Sequence, residues 1–154
     1  MDLADHRHTP DEGGVLYEGY IRYAEVEISV DEILDLFTTP KELVAAPGAD
    51  KVIEFISLLL ALDWSEGTPY TIGTATDLQV KYTNGAGAAV STTRDVTGFL
   101  EQSADKLSSL DKLEATVVPV VNAPLVLTLG VADVTLGDSP IHAKIAYRVH
   151  ETGL

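Results

Sequence analysis

The stretch that decides the fold is TTPKELVAAPGADKVIEFISLLLALDWSEGTPYTIGTATDLQVKY, residues Thr38–Tyr82. It contains the longest apolar run of the chain, Phe55–Leu62, which only Ser57 interrupts. A turn signal precedes this run at Pro47-Gly48, and another follows it at Gly67-Thr68-Pro69. The pattern predicts a strand, a tight turn, a long buried strand, a turn and then further strand.

The long strand is predicted over Val52–Leu62, at the centre of the core. Its near-continuous apolarity predicts burial on both faces, either between two sheets or inside an oligomer. Leu43-Val44 before it and Asp77–Tyr82 after it predict neighbouring strands. At the end of the chain, Ile141–Val149 alternates apolar and polar residues, which is typical of a half-buried strand.

Two short helices and several further strands complete the pattern. Ser29-Val30-Asp31-Glu32 matches a capping box and predicts a helix of about two turns. Asp95–Leu107 predicts a second helix, which Gly98 weakens. The other predicted strands are Tyr20–Val30, Tyr70–Ile72, Val90–Thr93, Ala115–Val121 and Leu125–Val131.

The order of these elements indicates the fold class. About eight short strands with two short helices, and no regular βαβ alternation, predict a mainly β fold, an antiparallel β-sandwich or jelly roll. A chain of 154 residues is most simply one domain. We expect residues 1–19 to form a flexible N-terminal arm and residues 20–154 to form a single jelly-roll-like β domain.

The composition narrows the classes of function. The chain has 24 Asp and Glu against 10 Lys and Arg, for a net charge of −14. Such a surface repels nucleic acids and anionic membranes, so neither is an expected partner. There is no cysteine, which excludes disulfides, thiolate catalysis and cysteine zinc sites. Met1–Glu12 lacks the apolar core of a signal peptide, and Phe55–Leu62 is shorter than the roughly 20 residues that span a bilayer.

No pattern of reactive side chains accompanies the scaffold. The serine motif G-x-S-x-G and the metal motif H-E-x-x-H are both absent. His6 and His8 belong to the arm, whereas His142 and His150 stand eight residues apart on one strand, about 26 Å at the usual rise. Pro47–Lys51 lacks the spacing of a phosphate loop. We therefore predict no catalytic, cofactor-binding or metal-binding residues, and a protein that is not an enzyme.

Several turn and core segments together carry a resemblance to a known family. They are Thr39-Pro40, Leu43–Ala49, Lys51–Ile53, Gly67–Tyr70, Leu78–Tyr82, Gly137–Ser139 and Ile145–Val149. This pattern is similar to that of tailed-bacteriophage capsid decoration (cement, or auxiliary head) proteins, and it covers most of residues 30–150. One departure is Asp50, where the family pattern has glycine.

The resemblance implies a jelly-roll core and a structural role in the virion. A decoration protein would bind the major capsid protein on the outside of the shell, as a homotrimer made in the bacterial host cytoplasm, and would stabilise the expanded shell. Two alternatives stay open. One is another virion part, such as a tail or baseplate adaptor or the base of a head fibre. The other is a carbohydrate-binding jelly-roll module with Trp64, Tyr70 and Tyr82 on an exposed platform.

Overall fold

The computed structural model describes residues 19–154, so all of the predicted N-terminal arm except Gly19 lies outside the described residues. The described part of the chain forms eight strands and one short helix. In chain order these are β1 (Arg22–Ile28), α1 (Val30–Leu34), β2 (Lys41–Val44), β3 (Lys51–Leu62), β4 (Asp77–Tyr82), β5 (Arg94–Asp95), β6 (Lys106–Asp111), β7 (Leu125–Leu129) and β8 (Ile141–Glu151).

The strands form two four-stranded sheets with nested pairing. One sheet has the order β1-β8-β3-β6 and the other β2-β7-β4-β5, and every pair is antiparallel. The first strand thus pairs with the eighth, the second with the seventh, the third with the sixth and the fourth with the fifth. The pairs β8–β3 and β7–β4 then join these hairpin-like pairs into sheets. The prediction of a mainly β, antiparallel fold with about eight strands is confirmed.

Burial along β3 alternates, so the prediction that both of its faces are buried is wrong within the chain itself. Leu58, Leu60 and Leu62 are buried, whereas Leu59 between them is 41% exposed. The reason is that the outer face of this sheet has no second layer over it in residues 19–154. Burial of that face inside an oligomer stays a prediction. The buried side chains of the two sheets belong to one hydrophobic cluster.

The first predicted helix is confirmed as α1, with its capping box. Glu32 N–H donates to Ser29 Oγ at 3.3 Å, and Ser29 N–H donates to Glu32 Oε2 at 2.9 Å. A hydrogen bond from Lys41 is the main reason that the pKa of Glu32 is lowered. The paired carboxylates at this position therefore serve to cap the helix.

The second predicted helix, Asp95–Leu107, is wrong. Thr97 N–H donates to the Asp95 side chain at 2.8 Å, and Gly98 has a left-handed φ of 84°. These features close a turn and prevent a regular helix. Three apolar residues had suggested a helical face. They are Val96, Phe99 and Leu100, and the turn places all three in the core. The end of the segment enters β6, a strand that the sequence did not predict.

The predicted strand Ala115–Val121 is also wrong, since this segment belongs to no ladder. Its Pro119 has no N–H to donate, which disfavours a place inside a sheet. Two other predicted strands, Tyr70–Ile72 and Val90–Thr93, contain only the isolated bridges Thr71–Thr135 and Ser91–Lys112. The predicted number of strands, about eight, is right, but some of the predicted strands are not the observed ones.

Candidate interaction surface

The first half of β3 borders a groove. The β8 ladder runs along β3 from Lys51 to Leu62, but the β6 ladder begins only at Ser57. Beyond that point the loop after β6 takes the place of a neighbouring strand. A groove of about 310 Å³ lies between β3 and this loop. It is lined by Val52–Phe55 and by every second loop residue, Ala115, Val117 and Pro119. We call it the β3 groove.

The floor of the β3 groove comes from β4 and from the loop that follows it. Tyr82 and Val90 are both buried, and the Tyr82 hydroxyl donates to the Ile53 carbonyl. Burial raises the pKa of Tyr82, so this hydroxyl stays a neutral donor. At the far end, Asn122 N–H donates to the Lys51 carbonyl at 2.8 Å and ties the loop to β3. The groove is therefore a defined gap in the sheet with fixed ends.

The rim of the groove is a charged cluster centred on Glu54. Lys112 Nζ lies 2.9 Å from a Glu54 carboxylate oxygen, His150 Nε2 lies 2.9 Å from the other, and Arg148 Nη1 lies 3.4 Å away. The hydrogen bond from Lys112 is the main cause that lowers the pKa of Glu54 to about 2, and partial burial opposes it. Of these residues, Glu54, Lys112 and His150 line the groove, so one carboxylate and one permanent cation meet at its rim.

A second exposed feature lies at the start of β1, on the opposite edge of the same sheet. Tyr23 is 77% exposed, and Tyr20 and Ile21 are also exposed. The guanidinium of Arg22 lies 5.0 Å from the centre of the Tyr20 ring, a cation–π arrangement. We call residues 20–23 the β1 start. Ile21 and Tyr23, two residues apart, share a face of the chain, and exposed side chains of this size are found at protein contacts.

Two segments that carry the family resemblance, some 70 positions apart in sequence, meet in space. Asp138 accepts hydrogen bonds from Thr68 N–H at 2.9 Å and from Ser65 Oγ at 2.6 Å. These bonds, first the one from Ser65, lower the pKa of Asp138. A Cβ on Gly67 would lie 1.8 Å from Asp138 Oδ2, and one on Gly137 would lie 2.3 Å from the Tyr70 ring. Glycine is therefore required at Gly137, which also has a left-handed φ of 87°, whereas a side chain at Gly67 would displace the Asp138 carboxylate.

The proposed carbohydrate platform is wrong for two of its three residues. Tyr70 and Tyr82 are only 3% and 2% exposed, and their hydroxyls donate to the carbonyls of Ser139 and Ile53. Burial is also the main reason that the pKa of Tyr70 is raised well above its usual value. Only Trp64 is partly exposed, so no aromatic platform exists at these positions.

The histidines of β8 sit in separate ion pairs. His142 Nε2 lies 3.2 Å from Asp63 Oδ2, whereas His150 contacts Glu54 in the rim cluster. His6 and His8 lie outside the described residues. Residues 19–154 contain no group of three or more side chains placed to hold a metal ion. In the same range no helix is long and apolar enough to cross a membrane.

The β3 groove was not predicted from the sequence. The available signal was Ala115–Val121, whose β-branched residues suggested a strand although Pro119 opposes one. A segment that does not pair leaves a gap beside the neighbouring strand, and the groove is that gap. The rim cluster had no sequence signal, because Glu54, Lys112 and Arg148 are far apart along the chain.

No protein-family model and no curated protein sequence matches the chain. Two solved structures that are similar to it are phage capsid structures. One is an acid-stable capsid structure of the Helicobacter pylori bacteriophage KHP30, with 17% identity, a TM-score of 0.47, and coverage of 85% of this chain and 89% of that chain. The other is the capsid asymmetric unit of cyanophage Pam1, with 9% identity, a TM-score of 0.45, and coverage of 86% of each chain. Likenesses this distant carry no argument about function.

Proposed function

We propose that the chain is a structural virion protein, not an enzyme, that binds the outside of a phage capsid and stabilises the expanded shell. The observation that carries the proposal is the contact between Gly67-Thr68 and Gly137–Ser139. Both segments belong to the pattern that resembles decoration proteins. Their residues depend on each other, because the Asp138 side chain fills the space beside Gly67 and Tyr70 fills the space beside Gly137. This dependence supports a shared structure behind the resemblance.

The nested strand pairing supports a jelly roll as the finer fold. In a jelly roll a long antiparallel hairpin of eight strands is rolled into two packed sheets. The pairing of first with eighth, second with seventh, third with sixth and fourth with fifth is the pattern that such rolling gives. The shared hydrophobic cluster of the two sheets fits a sandwich that forms one domain.

The surface suits a role outside the shell. A net charge of −14 disfavours contact with packaged DNA. Exposed apolar side chains at the β1 start, together with the β3 groove, favour protein partners instead. We propose the major capsid protein and further copies of this chain, as a homotrimer, as those partners. The chain would be made in the bacterial host cytoplasm and would end on the capsid exterior.

Many weak contacts are enough for the proposed action. A protein that binds the expanded shell and not its precursor shifts the equilibrium toward expansion by mass action. A trimer that contacts several shell subunits gains further from multivalency, since its second and third contacts form at high effective concentration. Large affinity at any one contact is therefore unnecessary.

The test is co-sedimentation with shells of the phage that encodes the chain, both expanded and unexpanded, and both lacking this protein. We expect saturable binding to expanded shells alone, and a higher melting temperature of the loaded shells. Absence of binding to both forms would overturn the proposal. Binding to isolated tails or baseplates in the same assay would instead assign the chain to that part of the virion.

A further inference from the structure

We propose that residues 15–17, which precede the described part of the chain, seat their apolar side chains in the β3 groove of the same chain. This contact goes beyond the proposed function and would shorten the expected N-terminal arm to residues 1–14. Three observations support it: where the described chain begins, which residues come before that point, and how far they reach.

The described chain begins next to the groove. Gly19 N–H donates to the Val149 carbonyl at 3.2 Å, which holds this residue against the end of β8. A Cβ on Gly19 would lie 3.2 Å from Cε1 of His150. The imidazole ring of His150 also lines the groove, and its Nε2 lies 2.9 Å from Glu54 at the rim. One side chain therefore separates Gly19 from the groove.

The conformation of Gly19 turns the chain at this point. Its φ of 75° lies in the left-handed region, which glycine adopts without strain. The ladder between β1 and β8 begins at Arg22, so it does not hold the residues before Gly19 along β8. A turn beside His150 permits those residues to cross β8 toward β3.

The sequence before Gly19 supplies a short apolar run. Val15-Leu16-Tyr17 is the longest apolar run within residues 1–18, and Gly13-Gly14 separates it from the charged residues Asp11 and Glu12. The groove has apolar walls that are not fully buried, among them Val52 and Val117. Apolar side chains gain free energy when they leave water for such a surface. The run and the groove therefore have matching chemistry.

The length of chain also fits. An extended chain covers roughly 3.3–3.6 Å per residue, so the positions of Val15–Tyr17 reach about 7–14 Å from Gly19. The part of β3 that lines the groove, Val52–Phe55, is about 10 Å long at the usual rise. The groove volume of about 310 Å³ suits side chains and not a folded partner. The contact is made by side chains and adds no strand to the sheet.

The first test introduces pairs of cysteines into the full chain, which has none of its own. Leu16→Cys with Ala115→Cys places one thiol in the occupant and one on the groove wall. The control pairs Leu16→Cys with Leu107→Cys, an exposed position of β6 near the far end of β3. Under mild oxidation the first pair should form an intrachain disulfide at least about tenfold faster, because docking raises the effective concentration of the two thiols.

A second test uses the melting temperature. Leu16→Asp should lower it by about 3 °C or more, because a charged side chain cannot replace leucine in an apolar groove. Leu3→Asp makes the same change in the same segment, outside the apolar run, and should leave the melting temperature unchanged. Equal melting temperatures of the two variants would overturn the inference, as would equal rates for the two cysteine pairs.

The occupant is also tested by the size of the oxidised product. A disulfide that joins two chains into a dimer would assign the groove to a second copy and would overturn the inference. Both tests use the chain without shells, so their outcome is independent of shell binding. With the groove filled from its own chain, the β1 start remains as an exposed surface for the protein partners proposed above.

Discussion

The two halves of β3, Lys51–Phe55 and Ser57–Leu62, differ in their neighbours and in their charge. Ser57–Leu62 lies between β6 and β8 and is hydrogen-bonded on both sides. Lys51–Phe55 has β8 on one side and the groove on the other. The second half is paired on both sides inside the sheet, whereas the first half keeps one open side. The first half contains the charged residues Lys51 and Glu54, and the second half contains none.

The largest expected effect falls in the second half. Leu60→Ala removes a fully buried side chain and should lower the free energy of unfolding by about 2–5 kcal/mol. Leu59→Ala, the next residue along but half-exposed, is the control and should cost less than about 1 kcal/mol. Urea unfolding of both variants gives the comparison. Equal losses would mean that the outer face of β3 is covered in solution.

A smaller loss of stability is expected at the hydrogen bond that joins the first half of β3 to β4 in the other sheet. Tyr82→Phe removes the hydroxyl that donates to the Ile53 carbonyl. We expect a loss of about 1 kcal/mol in the free energy of unfolding, the usual net value of one buried hydrogen bond. Tyr23→Phe, at an exposed position, serves as the control and should leave this free energy unchanged. A harmless Tyr82→Phe would show that the floor does not fix the first half.

The rim cluster should give the first half a pH dependence. Because the pKa of Glu54 is lowered to about 2 in the folded chain, its charge contributes stability above about pH 4.5. That contribution is lost as the pH falls from 4.5 toward 2. Glu54→Gln should remove it, at no more than about 1 kcal/mol because the pairs are partly exposed.

Acid unfolding of the wild type and of two variants checks this dependence. Lys112→Ala should weaken it as well, since the hydrogen bond from Lys112 is the main cause that lowers the pKa of Glu54. If the free energy of unfolding falls with pH in the same way for the wild type and Glu54→Gln, the charge of Glu54 does not contribute to acid stability.

The smallest effect is expected at the turn that leads into β3. Asp50, which departs from the family pattern, has a left-handed φ of 61°. Glycine adopts this conformation without strain, so Asp50→Gly should raise the free energy of unfolding by about 0.5 kcal/mol. Ala49→Gly, without that conformation, should lower it by about 0.4–1 kcal/mol. Thermal melts of the two variants should therefore shift in opposite directions.

The parts of the fold that the sequence predicted are those with a local signal. The capping box of Ser29 and Glu32 fixed the start of α1, and alternation along Ile141–Val149 gave β8. The length and turn signals around Val52–Leu62 gave β3. Local hydrogen bonding and a period of two residues are properties that the sequence displays directly.

The parts that the sequence did not predict depend on distant contacts. Lys106–Asp111 shows no clear apolar alternation, because Ser108 is buried and Leu107 is exposed, and it becomes a strand because it pairs with β3. Ala115–Val121 has strand-forming residues and lacks a partner. The Glu54 cluster joins charges from β3, β8 and the end of β6, which only the folded sheet brings together. Tertiary pairing outweighs local propensity at each of these places.

The most direct test of the difference between the two halves is amide hydrogen exchange along β3 of the wild-type chain. We expect residues 51–55, which border the β3 groove, to exchange faster than residues 57–62, which lie between β6 and β8. Equal protection of the two halves would contradict the account that the first half of β3 has an open side.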